Sequence, residues 1–444
     1  MAVLSVAALL TGCASGAGGG GGGDDHDALM TSSVDAGPLD RALVRSSTTV
    51  EVPDGTAQPE TDGTRAEATS RLGAAVVGAA PGKNVVVSPT SIMLAFAMLR
   101  EGATGESASQ IDSVFGLGTP TDGQDVGAAT AALRARLSRD DGPLEGLVAD
   151  EPPASPLLHL GDALFAAPDQ ELGQPFLDRI GAYHDAGVYR AGFADGSAGP
   201  LIDEWVRRET GGLIQTAPAP TDPGTRLALL STVTFAARWK TMFWGLTDEK
   251  AAFTRGDGRT RTVAMMRAIF DTPYGGKLSY AQGHGWRAVA LPYTDRYSMY
   301  VALPEEGSGT LTADQWQEVR GALATASPHS VALSMPRWGF SSTVGLADVL
   351  REVGLSAPFR PQGDLDGIFP GAVLTSATHS ATITVAEKGT VAAGATELGL
   401  GGGGPPKGPD EELVLNRPFD FQIVADDDQL VLFAGHVDDP AAAG

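Results

Sequence analysis

One cysteine stands in the 444 residues, so no disulfide can form within the chain and the core must hold the fold unaided. Basic residues are few beside acidic ones, 31 Lys and Arg against 54 Asp and Glu, a formal charge of −23. That balance argues against nucleic acid or an anionic membrane surface as partner, since both would repel the protein. Its plainest effect is to keep the protein soluble. No dense basic patch occurs near residues 131–150. Hydrolase signatures are missing: there is no Gly-x-Ser-x-Gly and no His-Glu-x-x-His, so nothing marks a nucleophile and the chain reads as no enzyme. Seven histidines without tight pairing offer no metal site, nothing implies a cofactor, and no internal repeat is present.

What is there suits a folded protein: 42% hydrophobic and 19% charged residues can build a sizeable core. The chain opens on Met1-Ala2-Val3-Leu4-Ser5-Val6-Ala7-Ala8-Leu9-Leu10-Thr11-Gly12-Cys13. This apolar run is too short to span a bilayer as a helix. It is similar to a bacterial lipoprotein signal, which implies removal of residues 1–12 and acylation of Cys13. No Lys or Arg precedes the run, which leaves a start upstream of Met1 or a chance match as the alternatives. Residues 13–65 are rich in Gly, Asp, Ser and Thr, with a glycine run from Gly18 to Gly23 and no sustained apolar period. Such a composition buries too little surface to offset chain entropy and reads as a disordered tether. Asp24-Asp25-His26-Asp27 within it reads as a solvated cluster rather than a metal site.

The folded body is expected over 66–440. Ala68, Leu72, Ala75 and Val76 share a helical face that ends at Pro81-Gly82. Asn84-Val85-Val86-Val87 reads as a short strand, and Ser88-Pro89 as a cap followed by proline at the first helical position. Ile92, Ala95, Phe96 and Leu99 then form a buried stripe closed by Gly102, and a third helix spans Ser107 to Phe115. Leu158–Ala167 and Gly187–Phe193 are strand candidates. The nearly continuous apolar run from Leu227 to Trp239 fits a strand buried on both faces. Beyond 286 strands dominate, at Trp286–Leu291, Tyr297–Leu303, Val331–Met335, Ala381–Ala386, Phe419–Val424 and Leu430–His436, with one helix, Gly345–Val353, among them. Helices first and strands later, without βαβ alternation, mean an α+β fold with large antiparallel sheets.

Function rests on the stretch after the alternating strand Ala381-Thr382-Ile383-Thr384-Val385-Ala386. The chain continues Glu387-Lys388-Gly389-Thr390-Val391-Ala392-Ala393-Gly394-Ala395-Thr396, a carboxylate, a glycine and then very small side chains. Such a segment can leave the sheet or slide between two strands without clash. After it, Gly401-Gly402-Gly403-Gly404-Pro405-Pro406-Lys407-Gly408-Pro409 is built as an exposed loop. This resembles the hinge and reactive loop of the serpins. Further segments come in family order: Asn84 to Ser91, Trp205 to Ile214, Phe235 to Phe243, Leu291 to Pro304, Met335 to Trp338 with Leu350 to Phe359, and Asn416 to Pro440.

The resemblance implies three β-sheets, about nine helices and an exposed reactive-centre loop at about 388–412. It implies a monomer that inhibits a serine endopeptidase, here a trypsin-like one, by a suicide-substrate, loop-insertion mechanism. It places Ser88, Ser91, Ser231 and His379 at the family's shutter and Trp239 at its breach. Ser231 stands where the family usually has asparagine, so its contact with His379 is expected to be looser or water-bridged. Thr390 is expected to become buried as insertion begins. Counting seventeen residues from Glu387 puts the scissile bond at Gly403-Gly404, while counting back from Asn416 gives Lys407-Gly408; Leu400 is a further alternative. Lysine suits an acidic specificity pocket, so Lys407-Gly408 is the expected bond. The competing expectation is a non-inhibitory serpin-fold surface lipoprotein, a carrier or a substrate. The implied location is extracellular, lipid-anchored to the outer face of a bacterial membrane, or secreted.

Overall fold

A computed structural model describes residues 37–46, 63–118, 125–144, 147, 152–217, 222–245, 247–271, 276–361, 364–390 and 408–442. Its organising element is the strand Leu227–Arg238. The run of apolar and β-branched residues there is buried along all but its last position. One face carries Leu229, Ser231, Val233, Phe235 and Ala237 into the main core. The other carries Ala228 and Leu230 against the helix Ala198–Glu209, in a second cluster with Phe165, Ile202, Trp205 and Val206. Trp205 meets Phe165 edge-on at 5.9 Å.

This strand is the middle of sheet A, whose order is Leu43–Val44, Val188–Arg190, Leu157–Ala166, Leu227–Arg238, Gly389–Thr390, Ser376–Ala386, Trp338–Gly345. Sheet B runs Pro328–His329, Leu278–Gly283, Trp286–Pro292, Tyr297–Pro304, Phe419–Ala425, Val431–Val437, Val85–Val87. Sheet C has four strands, Glu411–Val414, Val331–Pro336, Thr260–Phe270 and Asp248–Thr254. Between sheets A and B lies the helix Pro89–Arg100, apolar nearly all round and buried at every position but Arg100. Ser88 caps it, its Oγ accepting from the Ser91 backbone N–H at 3.1 Å. Three sheets and nine α-helices among the described residues agree with the α+β arrangement expected from sequence.

Two expectations are corrected. A second helix, Ala313–Thr325, interrupts the later strands, and it starts on a capping box between Thr312 and Gln315. Trp316, Val319 and Leu323 form its buried stripe, and the helix packs against sheet B. The range read as a wholly disordered tether also holds an ordered segment. Pro38–Ala42 is helical, Leu39 is buried, and Leu43–Val44 adds an edge strand to sheet A through Leu43↔Tyr189 and Val44↔Val188. One apolar side chain and two strand residues suffice because a ready sheet edge receives them. Residues 13–36 and 47–62 of that range, and Cys13 with them, lie outside the described residues.

Candidate functional site

Sheet A is closed at one end and parted at the other. Over Ala228–Val233 the central strand pairs in parallel with Ser376–Ala381. Farther along, the chain turns back at Glu387-Lys388 and places Gly389–Thr390 between the same two strands, antiparallel to both: Gly389 opposite Arg238 and Ala386, Thr390 opposite Ala237 and Val385. Residues 234–236 and 382–384, between these two regions, have no ladder partner on that side among the described residues.

Gly389 is dictated by geometry. Its φ is +155°, and a Cβ there would lie 2.1 Å from the Ala237 carbonyl oxygen. Thr390 is already buried, at 1% exposure, which overturns the expectation that burial begins only with insertion. Its hydroxyl lies 2.6 Å from the Tyr293 hydroxyl. Tyr293 is wholly buried, and that burial pushes its pKa up. Trp239 stacks on the Tyr293 ring at 4.4 Å. Its indole N–H donates to the Ala386 carbonyl and its backbone N–H to the Lys388 carbonyl, both at 2.9 Å. Phe243 N–H donates to the Glu387 carbonyl at 3.0 Å. The turn is thereby held through its main chain by Trp239 and Phe243, just past the central strand.

Glu387 is held by charge as well. Arg337 donates Nε at 2.8 Å to both carboxylate oxygens and Nη2 at 2.5 Å, and the Thr247 hydroxyl donates at 2.6 Å. Burial would raise the Glu387 pKa, yet the Arg337 and Thr247 hydrogen bonds outweigh it and keep the carboxyl below its usual range. Sequence reasoning missed Arg337, Tyr293 and Thr247 as partners of the hinge. Arg337 was signalled by a lone cation between the apolar Met335-Pro336 and Trp338, but nothing local said which carboxylate it meets.

At the closed end, His379 and Ser231 are register partners on adjacent strands. Ser231 Oγ and His379 Nδ1 are 2.7 Å apart, so the looser or water-bridged contact expected for serine is not what forms. Adjacent parallel strands set the two side chains close enough that a short hydroxyl reaches. The Ser88 backbone N–H donates to His379 Nε2 at 2.8 Å. That makes Nε2 the acceptor and assigns the proton to Nδ1, which donates to Ser231. Ser91 Oγ lies 3.3 Å from Ser231 Oγ and donates to the Thr232 carbonyl at 3.0 Å. Ser231 Oγ thus accepts from His379 on one side and lies within reach of the Ser91 hydroxyl on the other, which ties the helix start to both central strands. Burial pushes the His379 pKa down to about 3, with the Ser231 hydrogen bond opposing the shift only in part, so the ring is neutral at ordinary pH. Sequence reasoning named all four residues, and the structure brings them together.

Sheet A thus holds two residues of its own chain between its central strands at one end and a buried hydrogen-bonded cluster across the same strands at the other. A family model described as Serpin (serine protease inhibitor) matches residues 65–440. The chain belongs to the serpin family. Among relatives, bovine (Bos taurus) Serpin A3-1 is 29% identical over 379 residues, covering 82% of this chain and 85% of its own length. Rat (Rattus norvegicus) alpha-1-antiproteinase is 30% identical over 369 residues, with 80% and 84% covered. The native state of the thermophilic serpin tengpin superposes with a TM-score of 0.72 at 22% identity, over 91% of this chain and 99% of tengpin. Human thyroxine-binding globulin does so at 0.72 and 21%, over 86% and 99%. Both likenesses speak to fold.

Of the remaining site residues, Gly408 is exposed, two positions before Asp410, whose backbone N–H donates to the Ser330 carbonyl at 2.9 Å. Val391, Ala392, Ala393, Gly394, Ala395 and Thr396 of the hinge, and Leu400, Gly403, Gly404 and Lys407 of the loop, lie outside the described residues. Among those described, no three His, Cys, Asp or Glu side chains gather as a metal site. None of the described helices is long and apolar enough to cross a membrane.

Proposed function

We propose that this serpin inhibits a trypsin-like serine endopeptidase as a suicide substrate, with Lys407-Gly408 as the bond attacked. The protease forms an acyl-enzyme on the loop, the freed segment enters sheet A as a central strand, and the attached protease is carried along and distorted. The observation that carries this reading is the pairing of Gly389 and Thr390 with both flanking strands. Continuing that register one for one brings Thr396 level with Ser231 and His379, Gly399 level with Ser376, and Leu400 level with Leu227. Thr390, Ala392, Gly394, Thr396, Leu398 and Leu400 then fall on the core face, while Glu397 falls on the outer one. The alternation suits a strand in that slot. The serpin supplies no catalytic residue and needs no cofactor.

The register also favours a second reading, in which the chain behaves partly as a substrate. Seven residues, Gly401 to Lys407, come after Leu400, a leash of roughly 23 Å at about 3.3 Å each. A protease acylated at Lys407 is then crushed less tightly than one acylated near Gly403. We place the protein outside the cell as a monomer, lipid-anchored through Cys13 to the outer face of a bacterial membrane. Incubation with trypsin, subtilisin and elastase tests both readings. A detergent-stable adduct with trypsin, and a released peptide beginning at Gly408, is the expected result. Complete turnover by all three proteases, with no rise in thermal stability after cleavage, refutes the inhibitor reading.

A further inference from the structure

The last turn of the helix Ala198–Glu209 is tied to sheet A by an imidazole with a carboxylate at each nitrogen. His159, on the strand Leu157–Ala166, sets Nδ1 2.9 Å from Asp141 Oδ1 and Nε2 3.1 Å from Glu209 Oε2. The three residues come from a strand, a helix end and the segment leaving the 3-10 turn Ser138–Asp140. A neutral imidazole donates from only one nitrogen, so acceptors on both call for the imidazolium. Two residues along, Gly161 clears the way: a Cβ there would lie 2.9 Å from Glu209 Cβ.

The charged surroundings are few. Arg208 donates to Glu209 at 3.1 Å and to the Tyr189 hydroxyl at 2.9 Å, and approaches Asp40 of the ordered N-terminal segment at 3.4 Å. Asp140 turns away to Arg296 and Tyr297. Asp162, on the same strand as His159, is paired with Arg134 at 2.8 Å. The residue opposite His159 on the central strand is the uncharged Thr234. The same helix covers Ala228 and Leu230, within the stretch that must part from Ser376–Ala381 for a strand to enter.

We propose that His159 is a pH-sensitive latch, holding the helix Ala198–Glu209 on sheet A and thereby setting how fast the sheet opens. The consequence for opening rests on the strand-insertion reading; the latch itself does not. Burial disfavours the charged ring, but Glu209 and Asp141 outweigh it and raise the His159 pKa above the ordinary value. Burial likewise disfavours the Glu209 carboxylate, and His159 and Arg208 outweigh it and lower that pKa. A raised histidine contributes fully below about pH 6.5, its unfolded value, and is lost as pH rises through its folded value. A depressed carboxylate loses its contribution as pH falls through its folded value. The latch is therefore tightest in mildly acid solution and released in alkali.

The test compares unfolding rates in guanidinium of the intact protein and of His159→Gln at pH 6.5, 7.5 and 9, with hydrogen exchange of residues 198–209 as the local readout. The ratio of variant to parent cancels other titrating groups. Each unit by which the folded pKa is raised gives up to about a tenfold ratio, so the ratio is expected well above one at pH 6.5 and close to one at pH 9. Glu209→Gln, which keeps the imidazole, should show a weaker version of the same trend. A ratio flat with pH, or a Glu209→Gln variant that unfolds like the parent at pH 6.5, overturns the latch. Absence of any protease adduct alongside a pH-dependent ratio would sink the insertion reading and leave the latch standing.

Discussion

Ser231→Ala tests the proposed insertion, because its cost should differ between the intact and the loop-cleaved protein. In the intact protein the substitution leaves the Nδ1–H of His379 without an acceptor in a site of zero exposure. An orphaned buried donor costs about 1–3 kcal/mol, above the roughly 1 kcal/mol net of the hydrogen bond itself. Water offers little relief, because Ser88, Ser91 and Thr232 already fill the surroundings. On the proposed insertion, continuing the register of Gly389 and Thr390 would set Thr396 between the two strands, level with both residues, where its hydroxyl could take over as acceptor. The intact variant should therefore melt a few degrees below the parent, on the order of 1–4 °C per kcal/mol for a domain of this size. The loop-cleaved variant should melt almost unchanged. Thr396→Ala should show the mirror image, with the cleaved form weakened and the intact form untouched. Calorimetry of both variants, before and after cleavage, makes the measurement. Equal losses in the two forms would refute the reasoning, since they would mean that Ser231 and His379 keep their contact throughout.

The same geometry sets other outcomes. Gly389→Ala should expel the hinge from the sheet, because its methyl would sit on the Ala237 carbonyl; hydrogen exchange at Trp239 and Phe243 should rise, and unchanged protection would argue against it. The neutral, buried His379 contributes stability at neutral pH that is lost as pH falls below about 6.5, its unfolded value, toward about 3. Acid unfolding should therefore begin on that limb, and His379→Gln should flatten it. Cys13→Ala should release the protein from the membrane fraction to the medium, and unchanged fractionation would count against lipidation.

Much of this site was legible in one dimension because its parts are local. Ser88-Pro89 announces a helix start by cap chemistry, and the run from Leu227 announces a strand buried on both faces. The hinge announces itself by the absence of bulk after Glu387. Ser231 and His379 were paired on family order, and their register on neighbouring strands made the pairing physical. The helix Ala313–Thr325 carried a readable capping box that the strand-rich surroundings obscured. The segment Pro38–Val44 was hidden because two strand residues have no meaning until an edge receives them.

Composition and local pattern alone determined that this chain is a cysteine-poor α+β protein with a run of very small side chains after a buried strand. Only the tertiary structure decided that Gly389 and Thr390 already sit within the sheet, that Arg337 fixes Glu387 while Tyr293 meets Thr390, and that His159 finds a carboxylate at each nitrogen. The reason is one of range. Caps, turns and apolar periods act between residues a few positions apart, whereas Glu387 meets Arg337, and His159 meets Glu209, across 50 residues of chain in each case, through contacts that exist only once the sheets have assembled.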